Sequence, residues 1–128
     1  MWRFNKFKIS KDVKRLLKIH FKKEYEVGGV VFAKNKFFYT EIETLSFKKG
    51  APLTITFNKE DTSLFEIPKG NFIVGTWHTH PFQKEVNASS IDLNQWKKWN
   101  KKFIHLIYNG EKLKIYTSKG GLISVEKI

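Results

Sequence analysis

The 128-residue chain contains no cysteine, which excludes disulfide bonds and metal sites built from thiolates. It also lacks an apolar run approaching the ~20 residues that cross a bilayer. The opening stretch, MWRFNKFKISKDV, has neither the apolar segment nor the small-residue cleavage site of a signal peptide. These absences lead us to expect a cytoplasmic protein without a membrane segment.

Acidic residues are few, and arginine is nearly missing. Asp and Glu number 12 against 24 Lys and Arg, a formal charge of +12, and only 2 of those 24 are arginine. Such a charge attracts nucleic acid, anionic surfaces or acidic proteins. Arginine, however, is the residue that forks onto phosphate and guanine, and the lysines are scattered along the chain. We interpret the charge mainly as a compositional property and keep nucleic-acid binding as an alternative.

Hydrophobic residues make up 41% of the chain and aromatic residues 16%, a composition typical of a folded protein. No linker, repeat or low-complexity segment interrupts it, so we expect one domain over residues 1–128. Ser10 is placed to cap a helix from Lys11 to about Lys22. Its apolar face would comprise Val13, Leu16, Leu17, His20 and Phe21.

The rest of the sequence reads mostly as strands. Residues 26–35 and 36–45 predict two strands with a tight turn near 34–36, and Leu53–Phe57 within the irregular stretch 46–70 alternates like a strand. Residues 71–78 are apolar on both faces, which indicates a central strand. A helix should start near Ser89 or Ser90 and run to about 102, with Leu93, Trp96 and Trp99 or Asn100 on one face. Strands over 103–109, 112–118 and 122–128 follow, separated by Asn-Gly and Gly-Gly turns. This order predicts an α/β domain with a mixed, curled β-sheet and a helix on each side.

The segment GTWHTHP places two histidines at the end of the central strand. Residues two apart in a strand point to the same face, with Cα atoms roughly 6.5–7 Å apart. His78 and His80 can therefore direct both imidazoles at one ion, and Asp92, in the first turn of the next helix, can reach the same point. Two imidazoles and a carboxylate suit zinc and leave a fourth position open for water, as in catalytic sites.

Each of these residues also has an ordinary structural explanation. A His-x-His pair alone is often structural, Ser89 alone is most simply a helix cap, and Asp92 alone complements the helix dipole. His20 and His105 lie in apolar patterns, where packing explains them. The prediction of a metal site depends on the combination.

The combination resembles a known signature. HTHPFQKEVNASSID is similar to the His-x-His-Pro and Ser-x-x-Asp motif of the JAMM (JAB/MPN+) metalloproteases, and the upstream EVGGVVF matches that family's Glu-x-x-Gly context. The resemblance covers about residues 8–128. One departure is the loop between Pro81 and Ser89, which holds seven residues where the family more commonly has six.

The resemblance implies one zinc ion per chain, held by His78, His80 and Asp92. It implies that Glu26 is the general base acting through the zinc-bound water and that Ser89 steadies the oxyanion. Ser90 is the alternative for the serine, and Glu24 is the competitor for the base. The family's substrates are ubiquitin or ubiquitin-like proteins, cut after a C-terminal Gly-Gly, so the resemblance implies a deubiquitinase-like isopeptidase or peptidase in a minimal stand-alone domain.

Two other readings share the fold. RadC-like, DNA-associated proteins carry a similar signature and would suit the positive charge, but they typically have Asn between the histidines, where this chain has Thr79. A non-catalytic module that binds ubiquitin-like proteins is the other, and the presence of all three ligands with the glutamate argues against it. A zinc nucleobase deaminase is excluded because its Pro-Cys-x-x-Cys ligands are missing.

Overall fold

The strands form one curled, mixed sheet in a computed structural model that describes residues 6–49, 67–82, 87–98 and 101–128. The strands of these ranges are β1 (Phe7–Ile9), β2 (Val27–Asn35), β3 (Thr40–Leu45), β4 (Lys48–Lys49), β5 (Phe72–Thr79), β6 (Ile104–Tyr108), β7 (Lys112–Thr117) and β8 (Leu122–Lys127). The helices are α1 (Lys11–His20) and α2 (Ser90–Trp96).

The sheet order is β1-β3-β2-β5-β6-β7-β8, and β4 pairs with the start of β2. The β1–β3 and β5–β6 pairs are parallel, whereas the other pairs are antiparallel. β5 therefore lies in the middle, as predicted for residues 71–78. Within the described ranges, neither helix has the length and apolar character needed to span a membrane.

The two helices cover opposite faces of the sheet. On one face, Val13 and Leu17 of α1 are buried in a cluster that includes Leu106 of β6. On the other face, Trp96 of α2 packs against Ile107, the next residue of the same strand. Because successive strand residues point to opposite faces, the predicted α/β architecture with a helix on each side is confirmed.

α1 begins where the sequence predicted. The Ser10 hydroxyl accepts a hydrogen bond from the Val13 amide at 3.1 Å and donates one to the Glu43 carbonyl at 2.9 Å. The second bond ties the helix start to β3. The helix ends at His20 rather than near Lys22, and the Phe21 amide closes it on the Leu17 carbonyl at 3.0 Å.

The predicted turn at 34–36 was placed too early. β2 continues through Asn35, and the reversal occupies residues 36–39, where the Lys36 amide donates to the Tyr39 carbonyl at 2.8 Å. The aromatic residues Phe37 and Phe38 favoured a strand there. Strand pairing excludes these two residues from β3, because the ladders of β3 with both β1 and β2 begin at Thr40.

Two other differences concern short or interrupted elements. β1 and β4 were not predicted, since strands of three and two residues carry no readable periodicity. α2 was predicted to run to about 102 but ends at Trp96, where the Lys98 amide bonds to the Gln95 carbonyl in a tighter i+3 turn. The chain must then return to β6 at Ile104. The predicted strand at Leu53–Phe57 and the positions Trp99 and Asn100 lie outside the described residues.

Candidate metal centre

The two histidines stand at the carboxyl end of β5 with their side chains on one face. Thr79 between them points to the other face and is buried, and its Oγ1 accepts a hydrogen bond from the Val27 amide at 3.0 Å. His80 lies just past the strand, and its amide donates to the Tyr108 carbonyl of β6 at 2.9 Å. Neighbouring strands thus hold the main chain on both sides of the pair.

Asp92 reaches the histidines from the first turn of α2. The Ser89 hydroxyl accepts a hydrogen bond from the Asp92 amide at 3.1 Å, and the Asp92 carboxylate accepts one from the Ser89 amide at 2.8 Å. This reciprocal capping box shows that Ser89 caps the helix. It also fixes the orientation of the Asp92 carboxylate. A capping role for Ser89 and Asp92 is therefore compatible with the roles that the motif resemblance implies for them.

The three side chains converge to the spacing of metal ligands. The Nε2 atoms of His78 and His80 are 2.9 Å apart. Nε2 of His78 lies 3.1 Å from Oδ1 of Asp92, and Nε2 of His80 lies 3.2 Å from Oδ2. Ligands bound at 2.0–2.1 Å to a tetrahedral ion are roughly 3.3 Å apart. Electron pairs brought this close need a proton or a cation between them, so the group can bind a metal ion.

The electrostatics of Asp92 support this interpretation. Burial alone would raise the pKa of its carboxyl group, but the hydrogen bonds from His78 and His80 outweigh burial and hold the pKa well below the usual range. Asp92 is therefore ionised at every physiological pH, as a metal ligand must be.

Glu26 lies beside this group at the start of β2. Gly28 pairs with His78 across the β2–β5 ladder, and continuing this register by two residues places Glu26 opposite His80. Only 8% of Glu26 is exposed, and this burial raises the pKa of its carboxyl group to about 7. The nearby His80 lowers this pKa and the charge of Asp92 raises it, but burial is the largest effect. Glu24, the competing candidate, is exposed. The structure therefore brings Glu26, and not Glu24, into the electrostatic reach of the site.

The close approach of β2 and β5 depends on Gly28. A Cβ atom at this position would lie 2.4 Å from the Trp77 carbonyl oxygen, too close for any side chain, and 3.0 Å from Cβ of His78. Sequence reasoning used Gly28 only as part of a motif. The ladder gives it a steric role, because any side chain there would push the histidine strand away from the strand that follows Glu26.

His105 forms a buried layer behind the site. The Ser118 hydroxyl donates to the Phe103 carbonyl at 3.1 Å and lies 2.8 Å from Nε2 of His105, so it accepts from this nitrogen. Nδ1 of His105 lies 2.7 Å from Oγ1 of Thr76 and accepts a hydrogen bond from this hydroxyl group. The imidazole also stacks on Trp96 with ring centroids 4.6 Å apart. His105 is packed, as predicted, but its contacts also anchor the helix that carries Asp92.

The remaining candidates lie apart from the ligand group. His20 stacks on Phe47 with ring centroids 4.2 Å apart, and burial, with Lys22 and Arg15, lowers its pKa. Ser90, the alternative serine, is exposed at the first helical position, whereas Ser89 is half-buried.

Solved structures share this fold. A JAB1/MPN domain protein from Archaeoglobus fulgidus matches with a TM-score of 0.62 at 21% identity, over 93% of this chain and 96% of that one. A protein from Desulfitobacterium hafniense, known from a solution structure, matches with a TM-score of 0.58 at 16% identity, over 95% and 89% of the two chains. No protein-family model and no curated protein matches the sequence. The chain thus has the JAB1/MPN fold, the fold of the family that its motif resembles.

Proposed function

We propose that the protein is a zinc-dependent metallopeptidase that hydrolyses the peptide or isopeptide bond after the C-terminal Gly-Gly of ubiquitin or a ubiquitin-like protein. The observation that carries the proposal is the convergence of His78, His80 and Asp92 beside the buried carboxyl group of Glu26. A structural metal site would need a fourth protein ligand, and it would have no use for a buried acid next to it.

His78, His80 and Asp92 would hold one zinc ion per chain. Zinc bound there would lower the pKa of a water molecule to about 7 and polarise a substrate carbonyl. The capping box and the two strand neighbours of β5 orient these ligands in advance. Orientation of this kind usually changes metal affinity by about 10–100-fold.

Glu26 is the proton carrier in this proposal. A general base works best when its pKa lies near the working pH, and burial brings the pKa of Glu26 to about 7. Its carboxylate can accept a proton from the attacking water and return it to the leaving amine. Glu26 immediately precedes β2 and, when the β2–β5 register is continued, lies opposite His80. It therefore has no need to touch the ion.

Ser89 is the donor to the carbonyl oxygen of the substrate in this proposal. Its Oγ accepts the hydrogen bond from the Asp92 amide, which leaves the hydroxyl hydrogen free to donate. A donor directed at the developing oxyanion lowers the reaction barrier. One serine can thus cap α2 and take part in the reaction.

The substrate class rests on the motif resemblance and on the JAB1/MPN fold. A C-terminal Gly-Gly tail is extended and narrow, which suits binding by strand addition next to the ligand group. In this proposal the approach to the ion admits only glycines, which would select such tails.

The first experiment measures metal content. The purified chain should contain about one zinc ion, and His78→Ala or His80→Ala should abolish retention of the metal together with activity. His20→Ala, which removes a histidine outside the ligand group, is the matched control. Full zinc occupancy in a His78→Ala, His80→Ala double variant would contradict the ligand assignment.

The second experiment separates base from ligand. Glu26→Gln should fold, keep its zinc and bind a Gly-Gly-terminated fusion, while its rate of hydrolysis falls by ~10²–10⁴-fold. Glu24→Gln is the control and should retain activity. A zinc-loaded wild type that binds such fusions but cleaves none of them would establish a non-catalytic binding module instead.

A further inference from the structure

The β2–β3 hairpin ends in two exposed phenylalanines. Phe37 and Phe38 are 82% and 73% exposed, the highest values among the large hydrophobic side chains of the described residues. Their rings contact each other edge to face, with centroids 4.4 Å apart and an interplanar angle of 81°. We refer to residues 36–39 as the Phe tip. The described fold leaves most of the surface of both rings in contact with solvent, so the pair is available to an apolar partner outside the fold.

Lysines surround the Phe tip on adjacent strands. Lys8 of β1 lies over the Tyr39 ring, with its Nζ 4.2 Å from the centroid. Lys34 of β2 lies against the turn before β5, where a Cβ atom at Gly70 would be 3.8 Å from Cε and Nζ of Lys34, and Lys69 belongs to the same turn. Adjacent strands are about 4.8 Å apart, so these cations share one end of the sheet. We call Lys8, Lys34 and Lys69 the basic rim.

The basic rim carries more positive charge than the carboxylate beside it, Glu41, which lies opposite both Lys8 and Lys34 in the strand register. Lys36 of the tip has an ion pair with Glu41 at 3.8 Å. In the described part of this end, the three rim lysines are exposed, and none of them has a carboxylate partner among the ion pairs of the described residues. Exposed apolar rings at the same end of the sheet as solvated cations match the boundary between anionic headgroups and acyl chains.

We propose that the Phe tip and the basic rim bind an anionic membrane surface, with Phe37 and Phe38 entering the acyl boundary and the lysines contacting lipid phosphate and carboxylate groups. The rings reach only the shallow depth of interfacial anchors, about 5–10 Å. Binding would be peripheral and reversible, since two side chains and a few lysines are a weak anchor.

Single-stranded nucleic acid fits this surface less well. Successive bases stack on aromatic platforms whose faces are open, and an edge-to-face pair offers no two parallel faces. Arginine adds stacking and bidentate phosphate contacts, and the arginine of the described residues, Arg15, belongs to α1 rather than to this end of the sheet.

The location separates this surface from the metal centre. Gly28, opposite His78, and Asn35, next to the Phe tip, are seven residues apart on β2, or roughly 23 Å. A chain attached through the Phe tip would therefore turn the ligand group towards the aqueous phase. This inference is independent of the proposed catalytic activity.

Vesicle co-sedimentation tests the proposal with the full chain. Vesicles of phosphatidylcholine with phosphatidylserine should retain the protein, and phosphatidylcholine alone should retain it much less. Phe37→Ser/Phe38→Ser should weaken retention by at least ~10-fold, whereas Phe37→Trp/Phe38→Trp should preserve it. The matched control Ile19→Ser/Val125→Ser removes two exposed apolar side chains elsewhere, 51% and 49% exposed, and should leave retention unchanged.

Two double substitutions of lysine test whether the electrostatic contribution to membrane binding comes from the basic rim. One lysine near an anionic surface is worth roughly fivefold in partitioning, so Lys34→Gln/Lys69→Gln should reduce retention by on the order of 10-fold. Lys18→Gln/Lys22→Gln, with the same change in net charge at the end of α1, should have a much smaller effect. Equal losses in both pairs, unchanged retention in the serine variant, or a wild type that prefers single-stranded DNA or RNA to anionic vesicles would each overturn the proposal.

Discussion

Gly28 shows how one residue controls the distance between the proposed base and the proposed ligands. Its missing side chain lets the Trp77 carbonyl and Cβ of His78 come within 2.4 and 3.0 Å of where a Cβ would lie. β2 and β5 can therefore pair directly next to the ligand group, and the continued register places Glu26 opposite His80 just beyond the ladder.

We predict that Gly28→Ala destabilises the protein by about 1–3 kcal/mol, the usual cost of overpacking, and lowers zinc affinity. The displaced strand carries His78, so both effects share one cause. Gly121→Ala is the control, because a Cβ there meets only the Thr117 side chain, at 3.1 Å. Chemical denaturation and zinc titration give the two measurements, and an unchanged zinc affinity in Gly28→Ala would contradict the steric role.

Ser89 combines a structural and a proposed chemical role in one hydroxyl group. Ser89→Ala should lose about 1 kcal/mol of stability, since it removes the cap, and also lose activity. Ser89→Thr and Ser89→Asp both restore a capping oxygen, but only threonine retains a hydroxyl donor. Denaturation and hydrolysis assays should therefore show recovered stability in both variants and recovered activity in Ser89→Thr alone. Recovered activity in Ser89→Asp would show that Ser89 acts only as a helix cap and not as a hydroxyl donor in the reaction.

At the scale of elements, α2 is short, and its position depends on what its last turn contacts. Trp96 is buried between Ile107 and Tyr116 and stacks on His105, while Asp92, one turn earlier, faces the histidine pair. The helix holds only seven residues, too few to be stable alone. Its packing on the sheet must therefore supply the stability that positions Asp92.

The buried imidazole of His105 should make this packing sensitive to acid. Burial lowers its pKa from 6.5 to about 3, so between these values the unfolded chain binds a proton that the folded chain does not. The stability is fully present above pH 6.5 and is lost as the pH falls towards 3. From pH 7 to pH 5 this one group should cost roughly 2 kcal/mol.

Chelator-treated His105→Gln should lose correspondingly less stability over the same pH interval, because glutamine does not titrate. His20→Gln serves as the control, as that histidine is only half-buried and its variant should follow the wild-type profile more closely. Denaturant unfolding at pH 7 and pH 5 measures the difference. Identical pH dependence in wild type and His105→Gln would show that His105 is not the group that titrates.

At the scale of the whole molecule, the charge of +12 gives a long-range attraction to any polyanion. If this attraction is unspecific, duplex DNA should bind weakly at low salt and dissociate near physiological ionic strength, because counterion release dominates such binding. Fluorescence anisotropy with labelled DNA at two salt concentrations tests this prediction. Sub-micromolar affinity at physiological salt would instead favour a DNA-associated role of the RadC-like kind.

Much of the fold and site was predictable from the sequence because it depends on neighbours along the chain. The Ser10 and Ser89 caps, the buried central strand and the strands around Asn109-Gly110 follow from local hydrogen bonding, periodicity and turn chemistry. The shared face of His78 and His80 likewise follows from strand alternation. The position of Asp92 in the first turn of the next helix made it a candidate ligand, and the motif resemblance added Glu26.

Other features required the tertiary structure because they depend on residues distant in sequence. The start of β3 at Thr40 arises from its pairing with β1 and β2, because the pattern of residues 36–45 predicts a strand without fixing its first residue. β1 forms through its pairing with β3, because three residues show no periodicity. Contacts between residues distant in sequence also set the distances of 2.9–3.2 Å between the three ligand side chains. They account as well for the burial that raises the pKa of Glu26 and for the contact of His105 with α2. Local propensity determines which elements form, whereas packing and strand register determine which side chains meet.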